Sequence, residues 1–453
     1  MSESVEKCIC EICGKEFASK STLKNHKNKK VPCKPPTHLI QHVLEEAGVP
    51  TSIEPAGQFR AVSKKFHETL SKETRLDEGI FFTPKKVRDL LFAKRAELSV
   101  KPKTILEPSF GSGEFLLDAQ RHYPSAKLIG VEQNKKLFES LKMPAATLSR
   151  MDFTEWEGSA DLIIGNPPYF VAKTGNTAKE KKEFHEYYAE CMTGRPNMFV
   201  IFIYQCLKEH LMVDGFLAFI IPTSLFNCSY YQPMRDYIEA NTTICYLETL
   251  DKPGFFETGQ PTALMILQKK TPPSKGSYIF HSATGITYIT PYWQELKTIT
   301  ANTKTLSQLG LGVKTGSIVW NQEKDNLTDD SKETLLIYAS NIKNSELKLN
   351  NLLGTEKKQY VKKMTKPTLS GPVILVERGY GNGFSFNVVL CTHTKFYAEN
   401  HLNVIYARTK ESEHNLDRVL ASFKDARSMQ FIKMFMGNGM MTATELETLM
   451  PIF

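Results

Sequence analysis

Asn166-Pro167-Pro168-Tyr169 is the run whose residue types and spacing say most about chemistry. Two consecutive prolines hold the backbone in an extended turn, so the Asn166 side-chain oxygen and the Pro167 carbonyl can converge as acceptors on one amino group. An exocyclic ring amine is a poor nucleophile because its lone pair is delocalised into the ring. Two acceptors on its hydrogens push the nitrogen toward tetrahedral geometry, which frees the lone pair to attack an electrophilic methyl. Tyr169 can stack on the ring and hold it. The plainer reading is a Pro-Pro turn with a capping Asn, and the residues upstream weigh against it.

Those residues stand at three strand ends in order. Thr104 to Asp118 (TILEPSFGSGEFLLD) reads as a strand, a glycine turn and a helix. Gly111 and Gly113 let the backbone approach a ligand at the carboxyl end of the strand, where open α/β sheets bind cofactors. The lysine of a phosphate loop is missing and the spacing is not G-x-G-x-x-G, so phosphate binding is disfavoured. Nineteen residues after Gly113, the strand Ala126 to Glu132 ends in an acid suited to both hydroxyls of a ribose. Asp152 and Phe153 then offer a carboxylate for an adenine amino group and an aromatic face for its ring. The set suits an adenosine without phosphate.

A separate cluster lies at the N-terminus. Cys10-x2-Cys13, Phe17, Leu23 and His26 have the spacing of a ββα zinc finger, with Cys33 as the fourth candidate ligand, seven residues after His26. The seven-residue gap is longer than usual. In so short a segment metal binding supplies the folding free energy that a tiny core cannot. A cysteine-containing tail without metal is the alternative. The segment resembles single fingers fused to proteins of large DNA viruses.

The elements that must position these groups follow from composition and patterning. The 453 residues carry 57 Lys plus Arg against 49 Asp plus Glu, a net charge of +8. Eight lysines against four glutamates in residues 1–36 supply +4 of it. At roughly 100 to 200 residues per domain, two or three domains are expected. Residues 1–36 form the finger, 37–70 a linker, 71–268 an alternating β/α domain and 277–453 a domain of short strands, polar turns and late helices. Hydrophobic residues at 41% and charged residues at 23% fit an ordinary folded chain and exclude global disorder. No apolar run reaches the roughly 18 residues of a membrane span, and no signal peptide core is visible. Nine cysteines fit a reducing, intracellular compartment.

Over about residues 75–453 the chain resembles the S-adenosylmethionine-dependent adenine-N6 DNA methyltransferases whose cofactor motif comes first and target-recognition domain last. The resemblance implies an α/β fold: a Rossmann-like methyltransferase sheet, here with an added ββα zinc finger and a mixed α+β C-terminal recognition domain. It implies that Asn166 to Tyr169 are the catalytic tetrad. Glu107, Glu132, Asp152 and Phe153 match cofactor-contact positions beside Gly111 and Gly113, and the segment Gly79 to Pro84, with Thr83, closes over the methionine end. Phe256 would stack on the flipped target base opposite Tyr169, with Phe255 the competing choice. Met198-Phe199 and Asp214 to Pro222 resemble the next sheet segments of the family. In the C-terminal part Leu311 to Gly316 with Trp320-Asn321 resembles DNA-recognition domains, and lysines and arginines beside Tyr380 and Asn382 suit phosphate positioning and base-edge contacts, an ordinary basic surface being the plainer alternative.

The expected function is site-specific methylation of adenine N6 in double-stranded DNA, of restriction-modification type, by a monomer, with a cognate endonuclease left open. Expected cofactors are S-adenosyl-L-methionine and one zinc. The expected location is intracellular, the cytoplasm or the viral factory of an infected host if the source is viral. Protein glutamine N5-methylation and RNA adenine methylation pose similar chemistry. A non-catalytic zinc-finger nucleic-acid-binding protein is the reading from another class. The long C-terminal domain favours DNA over release-factor glutamine.

Overall fold

The computed structural model describes residues 8–9, 16–17, 59–70, 79–98, 101–193, 197–250, 261–270, 277–282, 285–349, 352, 355–362, 364–379, 387–435 and 441–453. It divides into two compact units, Met1–Gln58 and Phe59–Phe453. In the first, Cys8–Ile9 pairs antiparallel with Glu16–Phe17. The expected ligands Cys10, Cys13, His26 and Cys33 lie outside the described residues, as does Phe256.

The second unit begins with α1 (Ala61–Thr69) and α2 (Lys85–Glu97), so a helix occupies part of the segment read as a linker over 37–70. An alternating series follows: β1 (Thr104–Glu107), α3 (Glu114–His122), β2 (Lys127–Val131), α4 (Lys135–Ser140), β3 (Ala146–Ser149), β4 (Ala160–Gly165), α5 (Ala178–Tyr187), α6 (Met198–Gln205), β5 (Leu211–Pro222), α7 (Gln232–Asn241), β6 (Thr242–Leu250) and β7 (Thr262–Lys269). The seven strands form one sheet in the order β3-β2-β1-β4-β5-β7-β6. Neighbours from β3 to β5 are parallel, and β7 runs antiparallel between β5 and β6.

The strands read as continuous apolar runs because both faces are covered. Ile105, Leu162, Ile164 and Ile220 point to one face, against Leu91 and Phe92 of α2 and Leu116 of α3. Leu106, Ile163, Phe219 and Ile221 point to the other, against Phe199 to Ile203 of α6 and Met234 of α7. Register between β1 and β4 is set partly by Asp161, whose Oδ2 accepts from Lys103 N at 2.8 Å and Thr104 N at 2.7 Å.

The C-terminal portion has β8 (Ile279–His281), β9 (Thr287–Ile289), α8 (Trp293–Thr300), β10 (Leu311–Thr315), β11 (Leu327–Thr328), β12 (Thr334–Ile337), β13 (Tyr360–Val361), β14 (Val373–Glu377), β15 (Val388–Cys391), β16 (Phe396–Ala398), β17 (Leu402–Ala407), α9 (Asn415–Lys424), α10 (Ala426–Phe435) and α11 (Ala443–Thr448). Two four-stranded sheets, β10-β17-β14-β15 and β11-β13-β12-β16, share this region. Ile374 and Ile405 pack under α9 and α10, and the other face of the first sheet meets Ile337 and Phe396 of the second. The portion expected as a separate domain over 277–453 belongs to the same compact unit as the main sheet.

A buried ionic cluster ties the N-terminal helices to the sheet. Arg88 of α2 donates from Nε to Asp118 at 2.6 Å and from Nη1 to Glu114 at 2.8 Å and to the Thr83 carbonyl. Glu114 also accepts from the Ser63 hydroxyl at 2.6 Å and Arg60 N at 2.9 Å, both from the start of α1. All three charged side chains are at most 9% exposed. Arg88→Met should leave two buried carboxylates short of their cation and cost about 3 to 5 kcal/mol. Urea unfolding measures this; a loss under about 1 kcal/mol would show that Arg121, already 3.0 Å from Asp118, takes over.

Candidate active site

The turns after β1, β2 and β4 open on one edge of the sheet and enclose a cleft of about 620 Å³, its open mouth included. Gly111, Glu132, Asp152, Phe153, Asn166 and Pro168 line it, so most of the groups expected from sequence converge. Ile80, Phe82, Leu137, Met198 and Phe202 supply apolar walls. The last two come from the first turns of α6, whose largely apolar sequence reads as core; nothing in it marks these side chains as cleft lining.

Local backbone explains how the turns fit. Gly113 caps α3 at φ +78°, and a Cβ there would meet Leu141 at 2.4 Å. Gly79, at φ +63°, lies so close to Pro168 that a Cβ would meet its Cβ at 2.7 Å. The segment Gly79 to Phe82 therefore lies directly on the Pro-Pro turn and covers the cleft between the cofactor-type strand ends and Asn166.

Glu132 accepts from Gly111 N and Asn134 N, each at 2.8 Å, one on each carboxylate oxygen. Held on both oxygens, it stands at the cleft wall. Asp152 uses Oδ1 on Thr154 N and Thr154 Oγ1, both at 2.9 Å, and its Oδ2 has no partner among the described residues. Phe153 is buried against Phe202, with centroids 4.8 Å apart. The described lining holds two carboxylates and no lysine or arginine. That set repels phosphate and accepts a neutral nucleoside or a cationic group.

At the Pro-Pro turn, Asn166 Nδ2 donates to the Phe81 carbonyl at 3.2 Å. Its Oδ1 stands 2.5 Å from the Tyr169 hydroxyl, which is also 2.8 Å from the Ile220 carbonyl. Turning the amide over would set its oxygen against the Phe81 carbonyl, so Oδ1 faces Tyr169. Burial pushes the Tyr169 phenol well above its ordinary range, so it keeps its proton. One hydroxyl proton shared between two acceptors satisfies neither fully, and the Asn166 oxygen has a second lone pair. Asn166 Oδ1 is thus an under-satisfied acceptor, and the Pro167 carbonyl accepts no hydrogen bond among the described residues. The Tyr169 ring packs edge-on against Phe199, centroids 6.0 Å apart, and does not line the cleft.

Three expected cofactor contacts lie outside the cleft wall. Gly113 sits under α3. Thr83 is buried, with its carbonyl held by Arg88. Glu107 is 2% exposed and accepts from Leu116 N at 3.1 Å, bracing the start of α3.

The fold and site define a methyltransferase with a Rossmann-like α/β sheet. The chain is 31% identical over 388 residues to the type II methyltransferase M.CvrRI of Paramecium bursaria Chlorella virus XZ-6E, covering 84% of this chain and 96% of that protein. It is equally identical over 410 residues to modification methylase CviBIII of Paramecium bursaria Chlorella virus NC1A, covering 87% and 99%. The Eco57I restriction-modification methylase model matches residues 113–256. Among solved structures, the type IIG restriction endonuclease BpuSI aligns over 94% of this chain and 68% of its own, at 12% identity and a TM-score of 0.41. The chain belongs to the type II restriction-modification methyltransferases.

Burial pushes the Glu107 carboxyl well above the ordinary carboxylate range, with the Leu116 amide opposing. The folded state then holds a proton that the unfolded chain releases near pH 4.3. Stability associated with this group is full below that pH and is lost as pH rises through the raised folded value. Glu107→Gln should remove this fall. Urea midpoints across about pH 5 to 8 test it, and an unchanged slope would contradict the assignment.

Proposed function

We propose that the chain transfers a methyl group from S-adenosyl-L-methionine to N6 of an adenine extruded from double-stranded DNA, as the modification enzyme of a restriction-modification pair. The observation that carries this is Asn166 at the end of β4, its Oδ1 and the Pro167 carbonyl under-satisfied, beside a cleft lined by acids without cations. When bound, S-adenosylmethionine supplies an electrophilic methyl on a sulfonium. The cleft suits it: Glu132 stands at the wall where ribose hydroxyls would lie, Asp152 Oδ2 can accept from an adenine amine, and Ile80, Phe153 and Phe202 flank an aromatic ring.

Asn166 and Pro167 then accept the two hydrogens of the target amine and localise its lone pair. As the amine hydrogen takes Asn166 Oδ1, the Tyr169 proton turns to Ile220 O, so the hydroxyl keeps a partner throughout. Tyr169 and Phe256 are the aromatics proposed to hold the flipped base, with stacking that offsets part of the cost of leaving the duplex. In the structure the Tyr169 ring packs against Phe199, so this role requires it to turn toward the base. The curated relatives are named as type II methyltransferase and modification methylase, which supports DNA as the substrate.

The decisive experiment pairs two variants with radiolabelled methyl transfer to duplex DNA, identification of the methylated base, and calorimetry. Asn166→Ala should abolish transfer with cofactor affinity nearly intact. Glu132→Ala should weaken cofactor binding by about 1.5 to 3 kcal/mol, as for hydrogen bonds to a charged group. Near wild-type turnover in the first, or an unchanged dissociation constant in the second, would sink the corresponding role, and a product other than N6-methyladenine would sink the adenine assignment.

The N-terminal unit is proposed to hold one zinc through Cys10, Cys13, His26 and Cys33, with the short pair Cys8–Ile9 and Glu16–Phe17 flanking the first two ligands. Zinc takes four N or S ligands in a tetrahedron and would there be structural. Elemental analysis should find one zinc per chain, lost on replacing Cys10 and Cys13 with Ser. Metal-free protein from zinc-supplemented expression would refute it.

A further inference from the structure

A second cleft, of about 860 Å³ with its open mouth, lies between the main sheet and the C-terminal portion. β5 ends at Pro222, β6 ends at Leu250 and antiparallel β7 begins at Thr262, so Thr223, Thr249 and Thr262 stand together on the same sheet edge as Asn166. Thr290 and Lys433, at the end of α10, face them from the C-terminal portion.

Three features make this more than a gap between parts. The Thr262 hydroxyl, in a residue 2% exposed, has no hydrogen-bond partner among the described residues. Proteins rarely leave a buried hydroxyl unpaired without a role for it. Lys433 is exposed and forms no ion pair among the described residues, and the described lining contains no Asp or Glu. Glu445 is felt electrostatically at Tyr288 and is engaged with Thr442 N and Oγ1 at 2.8 Å each. The walls are also fixed. Buried Arg235 donates to the Leu225 and Cys228 carbonyls at 3.0 and 2.7 Å on the turn after β5, and to the Thr287 carbonyl of β9. Asn227 donates to the Phe435 carbonyl at 3.2 Å, joining the same turn to α10.

Threonine hydroxyls around one lysine that is unpaired among the described residues, with no carboxylate in the described lining, are the donor set that positions a phosphodiester. We propose that this cleft binds a backbone phosphate of the strand carrying the target base, with Thr262 and Lys433 as its donors. The proposal rests on the nucleic-acid substrate argued above. β7 lies two strands beyond β4, about 10 Å at the usual strand spacing. With a rise of about 3.4 Å per nucleotide in one strand, the phosphate is within about three nucleotides of the target.

The test uses the full chain, S-adenosylmethionine-loaded, and a duplex that the wild type methylates. Lys433→Met should reduce the magnitude of the slope of log affinity against log salt by about 0.9, one phosphate contact. Thr262→Val, which keeps shape and strand preference but removes the hydroxyl, should weaken binding about fivefold at every salt concentration without changing the slope. Retained cofactor binding by calorimetry shows that each variant is folded. Neutral methylphosphonates placed one at a time within three nucleotides of the target should cost the wild type affinity at one position and cost Lys433→Met nothing further there. Wild-type slope and affinity in both variants, or additive losses at every methylphosphonate, would overturn the proposal while methylation by the wild type leaves the function standing. A wild type that methylates protein or RNA and no duplex would overturn the function itself.

Discussion

Everything at the active edge depends on β1 and β4 lying side by side and parallel, with Ile105 opposite Leu162 and Leu106 opposite Ile163. Chain order runs outward from β1 to β2 and β3 on one side and from β4 to β5 on the other. The turns leaving β1 and β4 therefore diverge to opposite faces and leave a crevice between them at the carboxyl edge. The glycine turn and the Asn166 turn face each other across that crevice because of register. A slip of one residue in β4 would invert its faces, sending Ile163 from one core to the other and turning Asn166 away. Asp161, bound to the backbone at the start of β1, opposes such a slip at the far end of the same strand.

Covering the crevice is a separate problem, solved by buried charge. Gly79 to Phe82 reaches the Pro-Pro turn, and its position is set from behind by the Thr83 carbonyl on Arg88. Arg88 in turn holds Glu114 and Asp118 at the head and middle of α3, and Glu114 receives α1 through Ser63 and the Arg60 amide. Phe59, Ile80, Phe82 and Leu137 pack together around the same region. Two walls of the cleft are thus tied to the helix that begins the unit. Such a cluster is a poor source of net stability compared with apolar packing, but its donors and acceptors match in one arrangement only.

Much of this was legible in the sequence, and for a definite reason. Glu132 and Asn166 directly follow a strand and Asp152 lies three residues beyond one, so residue type and position coincide in short motifs. Glu107 was legible as an acid at a strand end but not in its use, because whether the carboxyl faces ligand or the helix start depends on how α3 docks. Thr83 was placed at the cofactor only through the family resemblance of its segment, and what the structure shows of it is a carbonyl held by Arg88. α1 escaped because it has no side-chain N-cap and only Ser63 is fully buried among its residues. Met198 and Phe202 gave no signal, since an apolar helix looks the same whether it lines a cleft or fills a core. In the C-terminal portion β12 pairs parallel with β16 across about 60 residues, which local patterning does not foresee.

The two clefts differ most in the charge that they can accept. Beside Asn166 the described lining has Glu132 and Asp152 and no cation; beside Thr262 it has Lys433 and no acid. Both open on one sheet edge, separated by the width of two strands, so their fields overlap across the position where the Asn166 turn ends. A polyanion approaching that edge is repelled at the first cleft and attracted at the second. On the proposed substrate, the acidic crevice disfavours phosphate beside Asn166 and admits a neutral base or a cationic group. The separation is electrostatic and costs no closure of the chain, because the two linings come from different strand ends whose order the sheet has already set.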